Sequence, residues 1–358
     1  RPPPPRGPPG GGAGGARPPP PAPAPGAAPP PPPPPAQFSQ RGAVLKAFKQ
    51  ICTLIQGPPG TGKTSVLVRI IYWAARVNLN DYGGERRALL VVCQSHSAVD
   101  NVMEKLIEYS KKQHARNNRL PLLQILRLGN STSIRTAIRG CDRLGANAQH
   151  HTQYRKAHVM CATALSCYRL PTDLTFPFVV MDEATQLMEP VALVPLVKGT
   201  NHLVKVGDTK QLSPSVRCQL AASLGLDSSM FERFQHKGMH CEFLNTQYRM
   251  VQALSKFPST AFYQDELLDG DTAHVHLNDV LMQFPWPVCE IPICFINVQG
   301  AEFKTGQGYV NVQEAVIATA VVKHLLHMGL RPESIGLAIP YVCLLYTSPS
   351  PRDGLLSR

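Results

Sequence analysis

No two of the ten cysteines in this 358-residue chain stand as Cys-x-x-Cys, and Cys161 and Cys167 have no histidines near them at zinc-finger spacing. A structural zinc site and a disulfide framework are therefore not expected; reduced, mostly buried thiols of a cytosolic or nuclear protein are. No apolar run reaches the length that spans a bilayer and no signal peptide is visible, so the expectation is a soluble chain with no membrane partner. Acidic residues are missing from residues 1–36, which hold 19 of the 35 prolines together with glycine and three arginines. Such a segment buries too little apolar surface to offset the entropy of ordering it, and it reads as disordered with polyproline II character. A starting methionine is also missing, which points to a fragment.

What remains has room for two domains of ordinary size. The formal net charge is +12; three arginines in 1–36 and a net +1 from Arg352, Asp353 and Arg358 leave +8 for the centre. That excess favours a polyanionic partner, most simply nucleic acid.

The densest chemical signal is TLIQGPPGTGKTSVLVRIIYWAAR. A short β-rich run, Thr53 to Ile55, enters Gly57-Pro58-Pro59-Gly60-Thr61-Gly62-Lys63-Thr64, and a helix with apolar Val66, Leu67, Ile70 and Trp73 leaves it. Strand, phosphate-binding loop and helix stand in the order the chemistry needs. Glycines let backbone N–H groups turn inward around phosphates, and the helix N-terminus adds a favourable field for the anion. Lys63 is expected at the β- and γ-phosphates, and the Thr64 hydroxyl on Mg2+. A chain this long matches the bare pattern by chance on the order of once in a hundred. Kinases, GTPases, transporters and motors share the loop, so it specifies the ligand and leaves the work open.

Two further strand ends narrow the choice. FPFVVMDEATQ is an apolar run, Phe178 to Met181, ending in Asp182-Glu183. Strands buried on both faces read as continuous apolar runs, and carboxylates at their C-terminal ends point into the ligand crevice. Asp182 is expected to hold Mg2+ through its water shell, and Glu183 to orient and deprotonate an attacking water. In NHLVKVGDTKQLSPSV a third strand ends in a polar loop whose Gln211 is suited to sense a γ-phosphate, with Gly207 and Pro214 fixing its path.

Gly57–Thr64, DEATQ, VGDTKQLSP and NTQYRM together resemble superfamily 1 helicases of the DEAxQ type. The likeness sharpens in VRCQLAASLGLDSSMFERF, QYRMVQALSKFPSTAFYQDELLDG, FPWP, GYVNVQEAV and ESIGLAIPY, which look like the up-frameshift-type RNA helicases over roughly residues 38 to 341. The resemblance implies an α/β P-loop NTPase with RecA-like parallel sheets. It implies a first RecA-like domain over 37–240 and a truncated second one over 241–342, which continues through a helix around Val316 to His324 and a buried strand, Ile335 to Ile339.

The same resemblance assigns the nucleotide, ATP, to Gly57, Pro58, Pro59, Gly60, Thr61, Gly62, Lys63 and Thr64. Gln40 would read adenine, Tyr248 would stack on the base, and Arg249 would reach across the cleft to the γ-phosphate. Glu183, Lys63, Gln211 and Arg249 are the expected catalytic set, with Thr64 and Asp182 on the metal. Ser95 and His96 in QSHSAVDNVMEKL, and Thr163 in ATALS, would touch phosphate or ribose of the strand.

Some features depart from the family pattern. His96 stands where the family usually carries Asn, which bears on strand contacts or their pH dependence. The segment from Lys111 to His158 is shorter than the subdomain it replaces, and the β-barrel and zinc-binding domains expected before Gln40 are absent. Residues 343–358 match what a transposase-type sequencing adapter would encode in translation and are read as a non-native tail. A second catalytic arginine is not found before it.

The implied activity is ATP hydrolysis coupled to 5′ to 3′ movement on single-stranded RNA, in RNA surveillance such as nonsense-mediated decay, with RNA-decay or translation-termination factors as partners in the cytoplasm or nucleus. The alternatives are a DNA or dual-specificity helicase of the senataxin-like group, and a truncated ATP-dependent RNA-binding protein without motor activity.

Overall fold

The apolar runs become parallel strands, and the polar residues that end them collect along one edge. The computed structural model describes residues 37–81, 88–118, 120–129, 143–144, 154, 156–271, 281, 283–288, 291–305 and 308–338. Within them one parallel sheet is built from β1 (Cys52–Gln56), β2 (Leu89–Cys93), β3 (Ile125–Leu128), β4 (Arg143–Leu144), β5 (Val159–Thr163), β6 (Phe178–Met181), β7 (His202–Gly207) and β8 (Cys241–Phe243). Their order across the sheet is β4-β3-β5-β2-β6-β7-β1-β8. The register sets Thr53, Val204, Val180, Val91 and Cys161 in one row through its centre.

Both faces of the sheet are covered, which is why the strands read as unbroken apolar runs. On one face Ile55, Val91, Cys161, Val180 and Val204 pack beneath helices α1 (Gln37–Lys49), α2 (Lys63–Asp81) and α3 (His96–Arg116). On the other, Leu54, Leu90, Met160, Val179 and Met181 meet α4 (Glu189–Leu196) and α5 (Met230–His236). Full burial of each such aliphatic side chain stabilises by roughly 1.5–3 kcal/mol before ordering entropy. Caps set where helices begin: Ser95 Oγ accepts from Ala98 N ahead of α3, and Ser229 and Glu232 form a reciprocal capping box on α5.

Trp73 departs from the expected apolar side of α2. It is 42% exposed, and its neighbour Tyr72 is fully buried instead, edge-on to Tyr109 with ring centres 5.2 Å apart. Packed by α1 on one side and α3 on the other, α2 has a core face wide enough to take Tyr72 and to leave Trp73 outside.

β8 lies past the expected boundary at residues 240 and 241, yet it hydrogen-bonds to β1 as the edge strand of the first sheet. Beyond it, β9 (Thr246–Gln247) and β10 (Leu268–Asp269) pair in parallel around α6 (Gln252–Phe262). A hairpin of β11 (Glu302–Thr305) and β12 (Gly308–Asn311) leads into α7 (Val312–His327), whose first turn is capped by the Asn311 side chain. The expected helix is present; the expected buried strand is not. Ile335 to Ala338 is irregular backbone with Leu337 40% exposed, and Ile339 is outside the described residues. A strand buried on both faces exists only inside a sheet, and among the described residues beyond 290 the two-stranded hairpin is the sheet present.

The proline-rich segment 1–36, the tail 343–358, and His150 and His151 also lie outside the described residues. No described helix is long and apolar enough to cross a membrane.

Candidate active site

Because the sheet is parallel, the C-terminal ends of β1, β2, β5, β6 and β7 open on one edge; Gly57–Thr64, Ser95, His96, Asp182, Glu183 and Gln211 lie just past the ends of β1, β2, β6 and β7, and Thr163 closes β5. The phosphate loop follows β1, held to the neighbouring strand by Gly57 N donating to Gly207 O at 3.0 Å. Gly60 and Gly62 have φ of 81° and 82°, where a side chain is strained, and a Cβ on them would lie 2.7 Å from Arg249 Cβ and 2.7 Å from Gln40 Nε2, respectively. Thr61 is buried and ties its hydroxyl to Pro58 O at 2.8 Å. Lys63 opens α2, and its ammonium donates to Gly57 O at 2.7 Å, folded over the loop it would leave for a phosphate.

Asp182 and Glu183 follow β6. Asp182 N donates to Val92 O at 2.8 Å, and Asp182 Oδ1 accepts from Glu183 N at 3.0 Å. Burial, then the neighbouring Glu183 charge, push the Asp182 carboxyl up to about 6, against the pull of the Glu183 N–H, Lys63 and Lys105. β6 and β1 flank β7 in the sheet, which sets this second strand end near the phosphate loop. Glu183 has φ of 49°, a left-handed conformation rare outside glycine and often found where geometry serves chemistry. Gln186 Nε2 donates to its Oε2 at 3.3 Å.

Among the described residues no three His, Cys, Asp or Glu side chains cluster as a metal cage. A buried carboxylate and a hydroxyl beside a phosphate cradle are the oxygen donors that suit Mg2+, which takes few protein ligands. Thr64 and Asp182 therefore fit the ion.

Gln211 donates through Nε2 to Asp208 Oδ2 at 2.6 Å. Asp208 is fully buried and also accepts from Tyr263 Oη at 2.7 Å and from Gln56 Nε2 at 3.4 Å. This carboxylate sets the sensor's orientation: with the amide nitrogen turned to Asp208, the carbonyl oxygen is turned away.

Gln247, fully buried in β9, holds the backbone of Arg249 and Met250. Its Oε1 accepts from Arg249 N at 2.8 Å and Met250 N at 2.7 Å, and its Nε2 donates to Asp269 Oδ1 at 2.6 Å. Tyr248 N donates to Gly60 O at 2.9 Å, and the Tyr248 ring lies against Gly270. Arg249, expected to reach toward the γ-phosphate, has its backbone on the phosphate loop, because β8 and β9 follow directly from the first sheet. Gln40, from the first turn of α1, donates to Thr61 O at 2.9 Å.

The residues expected to contact a nucleic-acid strand share the same edge through the Cys93–Thr163 register pair. Ser95 is occupied as the α3 cap. The Thr163 hydroxyl is buried and lies 2.6 Å from Ser166 Oγ. His96 Nδ1 is 3.0 Å from Arg127 Nη2, and Arg127, fully buried, pairs with Asp100 at 2.9 Å. Arginine only donates, so His96 accepts through Nδ1 and carries its proton on Nε2.

Two family models, each described as an AAA domain, match this chain, one over residues 36–153 and 141–218 and the other over 226–343. Regulator of nonsense transcripts 1 of Dictyostelium discoideum is 33% identical over 85% of this chain and 24% of its own length. ATP-dependent helicase NAM7 of Saccharomyces cerevisiae is 31% identical over 85% of this chain and 33% of that protein. The chain belongs to the up-frameshift-type superfamily 1 helicases. It spans about a quarter to a third of the length of these curated relatives. Among solved structures, an arterivirus nonstructural protein 10 (helicase) aligns with a TM-score of 0.36 at 15% identity, over 64% of this chain and 43% of that one.

The sequence motifs named Gly57–Thr64, Asp182, Glu183 and Gln211, which the structure sets beyond the ends of β1, β6 and β7. They missed Asp208, Gln247, Tyr263 and Arg127. Asp208 and Gln247 stand inside recognised motifs and could have been weighed; Tyr263 and Arg127 act through partners 55 and 27 residues away.

Proposed function

We propose that this chain is the nucleotide-hydrolysing portion of an ATP-dependent helicase that acts on single-stranded RNA, moves 5′ to 3′ and serves RNA surveillance. The observation that carries the reading is the seating of Tyr248 and Arg249 on Gly60 of the phosphate loop, beside Gln40, Lys63 and the Asp182-Glu183 strand end. Glu183 takes the proton of the attacking water. Lys63 leaves Gly57 O for the β- and γ-phosphates, and Arg249 neutralises charge that builds on the transferred phosphoryl group. Mg2+, held by Thr64 and Asp182, would supply further neutralisation of the phosphate oxygens.

The test is ATP hydrolysis with single-stranded RNA or DNA as stimulator. Expected are Mg2+-dependent turnover raised more by RNA than by DNA, and a Glu183→Gln variant that binds ATP with wild-type affinity while turnover falls by at least about 10²-fold. Equal stimulation by DNA would favour a dual-specificity helicase. ATP-sensitive RNA binding without turnover would replace the motor with a nucleotide-gated binder.

A further inference from the structure

Arg69 stands two turns into α2 on its exposed side, and neither the core nor the phosphate loop uses it. Its Nη1 donates to Gln40 Oε1 at 3.5 Å, while Gln40 Nε2 donates to Thr61 O at 2.9 Å. One amide is thus held at its two ends by two different elements. Hydrogen-bond chemistry leaves a single orientation, since only the NH2 can donate to a carbonyl and only the amide oxygen can accept from a guanidinium. These two contacts leave one N–H and one oxygen lone pair of the amide for a ligand. Burial, then Asp271, hold the Tyr248 phenol above its usual range, with Arg69 pulling the other way. Arg69, Gln40 and Tyr248 converge from α2, α1 and the segment after β9 on one flank of the phosphate loop.

We propose that Arg69 determines base specificity at this site, by locking the Gln40 amide in the orientation that gives a donor to N7 and an acceptor to the exocyclic amine of adenine. The inference rests on the nucleotide-site reading above and adds a residue that no motif marks. Guanine offers N7 and O6, two acceptors, so a locked amide sets its carbonyl oxygen against O6. An amide released from the guanidinium rotates and offers that edge an N–H instead. Discrimination then follows from the lock and not from the amide alone. Arg69 works through Gln40, as a positioning residue.

The experiment is equilibrium binding of ATP and of GTP to the whole chain and to Arg69→Met, Gln40→Ala and the double variant, with thermal melts to show that each folds. Expected is a wild-type preference for ATP that Arg69→Met reduces about five- to tenfold, the effect of losing one polar contact, with ATP bound more weakly and GTP no more weakly. In the Gln40→Ala background Arg69→Met should change the ratio no further. Equal weakening of both nucleotides by Arg69→Met, an unchanged ratio, or a wild-type chain without preference would each overturn the proposal. A folded wild-type chain that binds neither nucleotide would instead overturn the nucleotide-site reading on which it rests.

Discussion

A lysine in the middle of β7 works against the fold that contains it. Lys205 is fully buried, its Nζ has no hydrogen-bond partner among the described residues, and its nearest compensation is the Phe234 ring, 5.0 Å away. Burial pulls its amine down to about 7, with Cys52 and Glu189 pulling the other way. Below pH 7 both folded and unfolded chains carry the charge, and the desolvation cost opposes folding in full. Between about 7 and the ordinary lysine range only the unfolded chain stays protonated, so stability rises with pH. Lys205→Met is therefore expected to melt at higher temperature than wild type at pH 6 and to lose that rise, as denaturant unfolding at a series of pH values would report. A wild-type stability that falls over the same window would contradict this.

His96 is the opposite case, a titratable group kept from switching. Burial first, then the Arg127 guanidinium, hold its pKa below the usual histidine value, against Asp100. The proton stays on Nε2, so His96 presents one neutral donor, as the amide of an Asn would. Affinity for single-stranded RNA should accordingly be flat between pH 6.5 and 8, and His96→Asn should leave that profile flat. A marked tightening toward pH 6.5 would mean that the imidazole charges on binding.

At the scale of elements, the segment after β9 shows how a two-residue strand can aim a side chain. The Gln247 side chain makes four hydrogen bonds, with Arg249 N, Met250 N, Met250 O and Asp269 Oδ1, and Gly60 leaves room for Arg249 Cβ. Gln247→Ala would leave the N–H groups of Arg249 and Met250 without their acceptor, at a cost of about 1–3 kcal/mol if they stay buried. The expected outcome is a lower melting temperature and a turnover at least about tenfold down, with Arg249 mispositioned. Gly60→Ala attacks the same contact from the loop side: its φ is positive and its new methyl meets Arg249 Cβ. ATP binding should weaken in that variant while far-UV dichroism stays that of the wild type. Wild-type affinity would show that the loop and Arg249 separate when nucleotide binds.

At the scale of the whole molecule, the parallel sheet brings the ends of five strands to one edge, and the chain carries a formal net charge of +12, an excess that favours polyanionic partners. RNA affinity should fall steeply with salt, with a slope of about −0.7 in log K against log[salt] per phosphate neutralised. A binding isotherm unchanged between 50 and 200 mM salt, over which the Debye length falls from about 14 to about 7 Å, would remove backbone contacts from the reading.

The sequence by itself determined what short runs of residues can carry: the glycine spacing of the phosphate loop, the apolar strand that delivers Asp182 and Glu183, and the family motifs through QYRM. These are local because a turn, a strand and a helix start each depend on residues a few positions apart. Only the tertiary structure decided that β8 completes the first sheet, that Arg249 rests on Gly60, and that Arg127 fixes the tautomer of His96. It also decided that Tyr263 and Gln211 share Asp208 and that Arg69 grips Gln40. Each of these is a contact between residues distant in the chain, and side-chain orientation in such a pair is set by which donor meets which acceptor once the strands are packed.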